Sequence, residues 1–241
     1  MGTYRLYEWL WGGLDWLYPP VCGGCGRSGA RWCMECQRQV TPVPDPICNI
    51  CGLPVTSEGV CDSCRLHVPP FVALRSWVVF EGPVRSALHQ LKYRRNVALG
   101  DALARPMTDF CRRLDWPVEV VVPVPLGKRR LRERGYNQVG LIAMPLAALN
   151  RWRYAPIALS RIRETKSQVG LSEVERRENM QGAFRAAPRP VSGRAILLID
   201  DVATTGATLS ACAEALLSAG AKAVLALTLA RALPRHGLQN V

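Results

Sequence analysis

The sequence predicts an α/β domain with a mostly parallel sheet flanked by helices, preceded by a small cysteine-rich module. Eight of the ten cysteines lie within residues 22–64, arranged as four Cys-x-x-Cys pairs. Beyond residue 71, apolar segments of strand length alternate with helical segments, a pattern typical of parallel sheets covered on both faces. Pro69-Pro70 separates the two regions, so we expect domains at 1–70 and 71–241.

The chain begins with a segment rich in Trp and Tyr, which we interpret as a helix that ends at Pro19-Pro20. It lacks the small-residue cleavage site of a secretory signal. Its flanks also lack the Lys and Arg expected of a helix that lies on a membrane, which favours docking onto the protein itself. No run of eighteen apolar residues occurs, so the sequence predicts no transmembrane segment.

The cysteine pairs indicate two structural Cys₄ zinc sites, because two such pairs supply the four thiolates of one tetrahedral ion. The ligands would be Cys22, Cys25, Cys33, Cys36, Cys48, Cys51, Cys61 and Cys64. Either neighbouring pairs share a metal, or the first joins the third and the second joins the fourth. Glycine follows the first pair of each half, at Gly26 and Gly52, which favours sequential sharing.

The cysteine-rich module contains few aliphatic residues, so metal binding must stabilise it. We expect it to fold independently, with each domain closing its own core. The remaining cysteines, Cys111 and Cys212, are interpreted as small buried apolar side chains.

The second region contains four predicted strands and four predicted helices, whose order defines the sheet. Val84, Leu88 and Leu91 have helical spacing. The near-continuous apolar segment at 118–125 predicts a strand buried on both faces. The predicted strands are 75–81, 118–125, 195–200 and 223–230, and the predicted helices are 83–95, 98–114, 139–149 and 208–220.

The segment AILLIDDVATTGATL, residues 195–209, is the strongest functional signal. It consists of an apolar strand, the acidic pair Asp200-Asp201, a Thr/Gly loop and a helix start, the arrangement that binds phosphate in α/β proteins. Adjacent carboxylates beside an anion-binding loop suit a ligand that also carries hydroxyls or a metal, such as a sugar phosphate. The alternative is that the two aspartates only cap the following helix.

Two further segments contain more charge than packing requires. VPVPLGKRRLRERGYNQ follows a buried strand, where open α/β sheets bind ligands. The segment at 161–184 is either a mobile flap over a ligand or a solvated charged helix over Glu173–Asn179 that displays Arg176 and Arg177.

Positive charge is concentrated in the second region. Residues 1–70 contain five arginines and six acidic residues, whereas residues 71–241 contain 26 basic and 13 acidic residues. Such a surface suits a polyanionic substrate or nucleic acid. A composition of 27 Arg against 4 Lys also fits a GC-rich genome and a solvated surface.

The chain resembles the ComF family of competence-associated, phosphoribosyltransferase-like proteins. The segments that carry the resemblance are the Cys-x-x-Cys-Gly pairs, LKYRRN, VPVPLGKRRLRERGYNQ, the segment at 161–184 and IDDVATTGATL, and it spans about residues 15–232. It implies a type I phosphoribosyltransferase fold, a cytoplasmic location and association with the uptake of transforming DNA. It also implies binding of phosphoribosyl pyrophosphate (PRPP) with Mg²⁺, and binding of single-stranded DNA.

The resemblance also implies residue roles. Asp200 and Asp201 would hold the ribose hydroxyls and stabilise positive charge on the ring. Arg163 and Lys166, with Arg161 as a further candidate, would stabilise the departing pyrophosphate. The 5′-phosphate would lie on the loop formed by Ala203, Thr204, Thr205, Gly206, Ala207 and Thr208. The pyrophosphate would lie on Val124, Pro125, Leu126 and Gly127, near Arg134. The rival reading is a non-catalytic single-stranded nucleic-acid-binding protein with a retained PRPP-sensing pocket.

Overall fold

The structure, a computed structural model, describes residues 19–164 and 173–233. The described residues form seven strands: β1 (Ala73–Val79), β2 (Val120–Pro123), β3 (Arg153–Tyr154), β4 (Leu159–Arg161), β5 (Phe184–Ala186), β6 (Ala195–Ala203) and β7 (Ala223–Arg231). Five of them form one sheet in the order β1-β7-β6-β2-β3, and every neighbouring pair in it is parallel. Strands β4 and β5 form a separate antiparallel hairpin.

Helices cover both faces of the sheet, which confirms the predicted fold class. The helices are α1 (Met34–Arg38), α2 (Asp62–Leu66), α3 (Gly82–Tyr93), α4 (Leu99–Leu114), α5 (Lys128–Arg134), α6 (Gln138–Leu149), α7 (Glu173–Met180), α8 (Pro188–Val191) and α9 (Ala207–Ser218). Helices α3, α4 and α6 pack on the face that displays Leu197 and Ile199. Helix α9 and the β4–β5 hairpin pack on the opposite face, against Ile196 and Leu198.

The apolar segments form the central strands because both of their faces are covered. All four residues of β2 are buried, as the near-continuous apolar pattern predicts. Strand β6 continues three residues beyond its predicted end and therefore includes both aspartates. Helix α5 is not among the predicted helices, and it buries none of its residues. Short strands β3, β4 and β5 carry too little periodicity to be predicted.

The two cysteine ribbons dock onto the sheet domain at different places, and the second has a small apolar cluster of its own around Cys48, Cys51 and Cys64. In the first ribbon, Gly23 accepts a hydrogen bond of 3.1 Å from Gln90 Nε2 of α3. In the second, the Ile50 carbonyl accepts a hydrogen bond of 2.7 Å from the Leu74 N–H of β1. Gly52 has φ +66°, and a Cβ there would lie 2.4 Å from the Leu74 carbonyl oxygen, so the second ribbon lies directly against the edge strand.

In the described part of the chain, no helix has the length and apolar composition needed to cross a lipid bilayer. The Trp- and Tyr-rich helix predicted for the first eighteen residues lies outside the described residues.

Candidate functional site

The loop between β6 and α9 has the geometry of an anion-binding turn. Gly206 is the N-cap of α9 and has φ +81°, a left-handed conformation that favours glycine. The N–H of Ala207 points to Thr205 Oγ1 at 3.4 Å, so the loop folds back on its own hydroxyl. The first turn of α9 contains no acidic residue. The predicted phosphate-loop residues 203–208 therefore surround one helix N-terminus, where N–H groups and the helix dipole favour an anion.

The acidic pair does not cap this helix. Both aspartates lie inside β6, and α9 has no side-chain cap. Because successive strand residues face opposite sides of a sheet, the two carboxylates have different environments. Asp201 faces α3 and α6, and Asp200 faces α9.

Asp201 is held by two side chains that the sequence analysis did not identify. Its Oδ2 lies 3.0 Å from Lys92 Nζ at the end of α3. The same oxygen accepts a hydrogen bond of 2.7 Å from Gln138 Nε2 at the start of α6. Asp201 is 6% exposed and Gln138 is 4% exposed, so this is a buried polar network at the carboxyl edge of the sheet. A charged carboxylate there is satisfied before any ligand arrives.

Asp200 is half-buried on the opposite face of the sheet. Burial, and then the neighbouring charge of Asp201, raise its pKa to about 7, although the Asp201 N–H donates a 2.8 Å hydrogen bond to its Oδ1. Buried Cys212 lies on the same face, and burial raises the pKa of that thiol well above its ordinary value. Asp200 can therefore gain or lose a proton near neutral pH. A cation or the hydroxyls of a ligand beside it would favour the ionised carboxylate.

The predicted pyrophosphate loop at 124–127 lies beside the acidic pair in the sheet. The Val124 N–H donates a 2.8 Å hydrogen bond to the carbonyl of Ile199, immediately before Asp200. The Val124 carbonyl accepts a hydrogen bond of 2.9 Å from Asn137 Nδ2. The loop continues through Pro125 and Leu126 to Gly127, the N-cap of α5.

Arg134, at the end of α5, donates a hydrogen bond to Gln138, which in turn contacts Asp201. Its guanidinium also lies over the ring of Tyr93, 5.5 Å from the centroid. The structure thus connects Arg134 to the acidic pair through Gln138. In the sequence, the signal for Lys92 and Gln138 is their position in LKYRRN and at the end of VPVPLGKRRLRERGYNQ, two of the segments that carry the family resemblance.

Arg161 and Arg163 are the predicted flap residues that the structure describes, and they contact β5 and the end of α7 with the turn after it. Arg163 donates hydrogen bonds to the carbonyls of Asn179 at 3.0 Å and Gln181 at 2.7 Å, so it fastens the end of α7. The Arg161 guanidinium lies 5.7 Å from the ring centroid of Phe184. Helix α7 agrees with the charged-helix interpretation of this segment. Lys166 lies outside the described residues.

The eight paired cysteines form two clusters in sequence order. In each cluster the four sulfurs lie within 4.8 Å of one another; the clusters are Cys22, Cys25, Cys33 and Cys36, and Cys48, Cys51, Cys61 and Cys64. Measured sulfur–sulfur distances are 3.6 Å for Cys22–Cys36, 3.7 Å for Cys25–Cys33 and 3.6 Å for Cys51–Cys61. A tetrahedron with zinc–sulfur bonds of about 2.3 Å has edges of about 3.8 Å, so both clusters fit zinc.

The two clusters share a backbone pattern that supports metal binding. The Cys33 N–H points to Cys22 Sγ at 3.4 Å in the first, and the Cys61 N–H points to Cys48 Sγ at 3.4 Å in the second. Four thiolates leave no open coordination position, as expected of structural sites.

A cavity of about 880 Å³ lies between the second cluster and the phosphate loop. Its walls include Cys51 and Cys64 of the ribbon, Thr204 and Thr205 of the loop, and Arg231 at the end of β7. The volume lies in the range of small-molecule sites. Sequence reasoning missed this cavity because its walls come from regions far apart in the chain.

Comparison with known proteins identifies both parts of the chain. A double zinc ribbon domain matches residues 13–65, and a phosphoribosyl transferase domain matches residues 140–237. The chain is 36% identical to DNA utilization protein YhgH of Escherichia coli (strain K12), over 89% of this chain and 98% of that protein.

Two further relatives are named for competence. Competence protein F of Haemophilus influenzae is 30% identical over 83% of this chain and 90% of its own. Competence protein ComFC of Bacillus subtilis is 29% identical over 85% of this chain and 86% of its own. Relatives of this identity, matched over nearly their full length, together with the two domain matches, show that the chain belongs to the ComF family of competence-associated proteins, which join a double zinc ribbon to a phosphoribosyltransferase-like domain.

Proposed function

We propose that this protein binds PRPP together with Mg²⁺ at the edge of the sheet formed by β2 and β6, and that it acts as a phosphoribosyltransferase-class protein in the handling of incoming DNA. The observation that carries the proposal is the acidic pair inside β6, one carboxylate of which is anchored by Lys92 and Gln138. Two aspartates built into a strand directly before a glycine-capped helix suit the hydroxyls and the phosphate of one sugar phosphate.

Different groups of residues bind different parts of PRPP. N–H groups and hydroxyls of residues 203–208 bind the 5′-phosphate. Asp200 and Asp201 accept hydrogen bonds from the ribose hydroxyls, and their charge favours a sugar ring that becomes positive as the bond from C1 to pyrophosphate lengthens. Residues 124–127 and Arg134 lie nearest the departing pyrophosphate.

The carboxylate oxygens of the two aspartates also suit Mg²⁺, which prefers carboxylate and phosphate oxygens. When bound, the ion would neutralise charge on the pyrophosphate. Arg163 and Lys166 remain candidates for the same task. To reach the ligand, Arg163 has to exchange its two carbonyl partners on α7 and the turn after it for the pyrophosphate.

Calorimetric titration of the zinc-loaded full chain with PRPP, with and without Mg²⁺, tests the binding step. We expect saturable binding of one PRPP per chain that strengthens when Mg²⁺ is present. Absence of binding under both conditions overturns the proposal. Release of pyrophosphate, followed over time with single-stranded DNA or nucleobases as acceptors, distinguishes turnover from binding alone.

A second candidate is a non-catalytic accessory protein that binds single-stranded DNA and keeps the pocket for sensing PRPP. Three observations support it: the 26 basic residues of 71–241, the name of the Escherichia coli relative and the engagement of Arg163 away from the acidic pair. In that case PRPP would bind and alter DNA affinity, while no pyrophosphate would be released. We place either activity in the cytoplasm, together with the proteins that take up DNA.

A further inference from the structure

Arg231 is a buried cation without a hydrogen-bond partner among the described residues. It lies at the end of β7 and is 1% exposed. All three nitrogens of its guanidinium are buried and make no hydrogen bond within the described residues. Burying a charge without compensation is costly, so this side chain requires a nearby negative group.

The candidate for this negative group is the second cysteine cluster. Arg231 lines the same cavity as Cys51 and Cys64. Burial lowers the pKa of the Arg231 guanidinium, and the cysteines of the second cluster act in the opposite direction, in the order Cys51, Cys64, Cys48 and Cys61. A zinc ion bound by four thiolates carries two net negative charges, which would offset the buried positive charge of Arg231.

A second arginine lies at the same ribbon. Arg75 of β1 donates a hydrogen bond of 3.1 Å to the carbonyl of Asn49, next to Cys48. It also donates to the Leu74 carbonyl at 2.9 Å, the same carbonyl that Gly52 approaches. The second ribbon thus lies against two cations from neighbouring strands of the sheet, a surrounding that complements a dianionic metal centre.

Arg231 also connects the ribbon to the phosphate loop. It is paired in register with Ala203, the last residue of β6 and the first of the loop. The next residue, Ala232, donates a hydrogen bond of 2.9 Å from its N–H to the Ala203 carbonyl. A change in the position of Arg231 would therefore shift Ala203, the first residue of the loop, through the pairing of β7 with β6.

We propose that Arg231 is the counter-charge of the second zinc site, and that metal binding at this site, and not at the first, positions the end of β7 and the phosphate loop beside it. The first ribbon is an internal control, because it docks elsewhere: Gly23 lies against Leu99 of α4, and Gly24 lies against Pro83 of α3. The inference depends on zinc in the second cluster and is independent of what the loop binds.

Zinc release tests the first part. The full, zinc-loaded chain is mixed with a chromogenic chelator, and the release of both ions is followed for the parent, Arg231→Met and Arg231→Lys. Arg231→Met keeps the length of the side chain and removes its charge. We expect one ion to leave at least about tenfold faster in Arg231→Met, the size of effect common for groups that support metal ligands. The other ion should leave at the parental rate, and Arg231→Lys should restore most of the difference.

Repeating the measurement in a Cys36→Ser background, which disables the first site, assigns the fast ion to the second site. Equal acceleration of both ions, or of neither, overturns the proposal. If Arg231→Met does not fold, Arg231→Lys decides: near-parental release from the second site supports the charge role, and accelerated release of both ions contradicts it.

Hydrogen exchange tests the second part without any ligand. Exchange at residues 203–208 is compared in Cys61→Ser, which disables the second site, and Cys33→Ser, which disables the first. We expect the loop amides to exchange severalfold faster only in Cys61→Ser. The same exchange rate in both variants shows that the second metal does not position the loop.

Discussion

The ammonium of Lys92 lies 3.0 Å from Asp201 Oδ2, and the two side chains are 23% and 8% exposed. The pair joins the end of α3 to the strand that carries the proposed ribose-binding carboxylates. Because Gln138 also donates to Asp201, the carboxylate is fixed from two helices on one face of the sheet. The ligand therefore meets a carboxylate whose position has already been set.

Removing Lys92 should destabilise the fold, because the buried carboxylate of Asp201 would lose its cationic partner. We expect Lys92→Met to lower the free energy of unfolding by about 2–4 kcal/mol, as when one member of a largely buried pair is removed. Urea denaturation of the single variants and of Lys92→Met/Asp201→Asn forms a double-mutant cycle. Lys222→Met, at an exposed lysine, is the matched control. Additive losses in the cycle would mean that the pair makes no net contribution.

The acidic pair should determine PRPP affinity. Asp200→Asn and Asp201→Asn keep the shape of the side chains and remove their charge, so each should weaken binding about tenfold to a hundredfold, or roughly 1.5–3 kcal/mol. Thr205→Val should cost less, because the loop N–H groups still hold the phosphate. Calorimetry measures all three, and Asp109→Asn on the surface of α4 is the control. Unchanged affinity in the double Asn variant would remove the basis of the proposed function.

Asp200 should make stability depend on pH. Its pKa in the fold, about 7, lies above its ordinary value of 3.8, so the folded state binds this proton more tightly than the unfolded state. The protonated form is the one the fold favours, and stability is lost as pH rises from about 4 through 7. We expect Asp200→Asn to be more stable than the parent by about 1–2 kcal/mol at pH 8, with the difference vanishing toward pH 4. Denaturation of both proteins at each pH cancels the shared effect of zinc-ligand protonation.

Metal analysis should find two zinc ions per chain, and the pairing of cysteines can be tested with one variant. Cys22→Ser/Cys36→Ser removes two ligands from one cluster of this structure and should leave one ion bound. If the cysteine pairs were interleaved, the same variant would damage both sites and lose both ions. Far-UV circular dichroism before and after metal analysis controls for unfolding.

Single-stranded DNA binding should be sensitive to salt, because the basic residues of 71–241 would release counterions from the phosphates. We expect affinity to fall steeply between low and moderate salt in fluorescence anisotropy. Stacking on Trp32 should contribute little, since this side chain is partly buried and its Nε1 donates a 2.7 Å hydrogen bond to Gln37. Affinity that does not change with salt would exclude this mode of binding.

Local signals in the sequence were strong enough to predict four of the five strands of the sheet, its main helices and the two cysteine clusters. Strand β2 was predictable because all its residues are apolar. Lys92 and Gln138 could not be assigned roles, because their common partner is distant in the chain and only the packing of α3 and α6 brings the three together. The docking of the ribbons also depends on long-range packing. Gly52 and Leu74 come together only in the folded protein, so the sequence contains no local pattern that predicts their contact.

The ten cysteines have a practical consequence for chemistry on the intact protein. Eight belong to the two clusters, and the other two, Cys111 and Cys212, are 5% and 0% exposed. Burial raises the pKa of Cys111 to about 12 and that of Cys212 well above its ordinary value, so neither forms the thiolate that alkylating reagents attack. The metal-loaded protein should therefore be almost inert to iodoacetamide. Each ribbon that loses its ion should expose four reactive thiols, so the number of labels that mass spectrometry finds on a chain would show how many ribbons are empty.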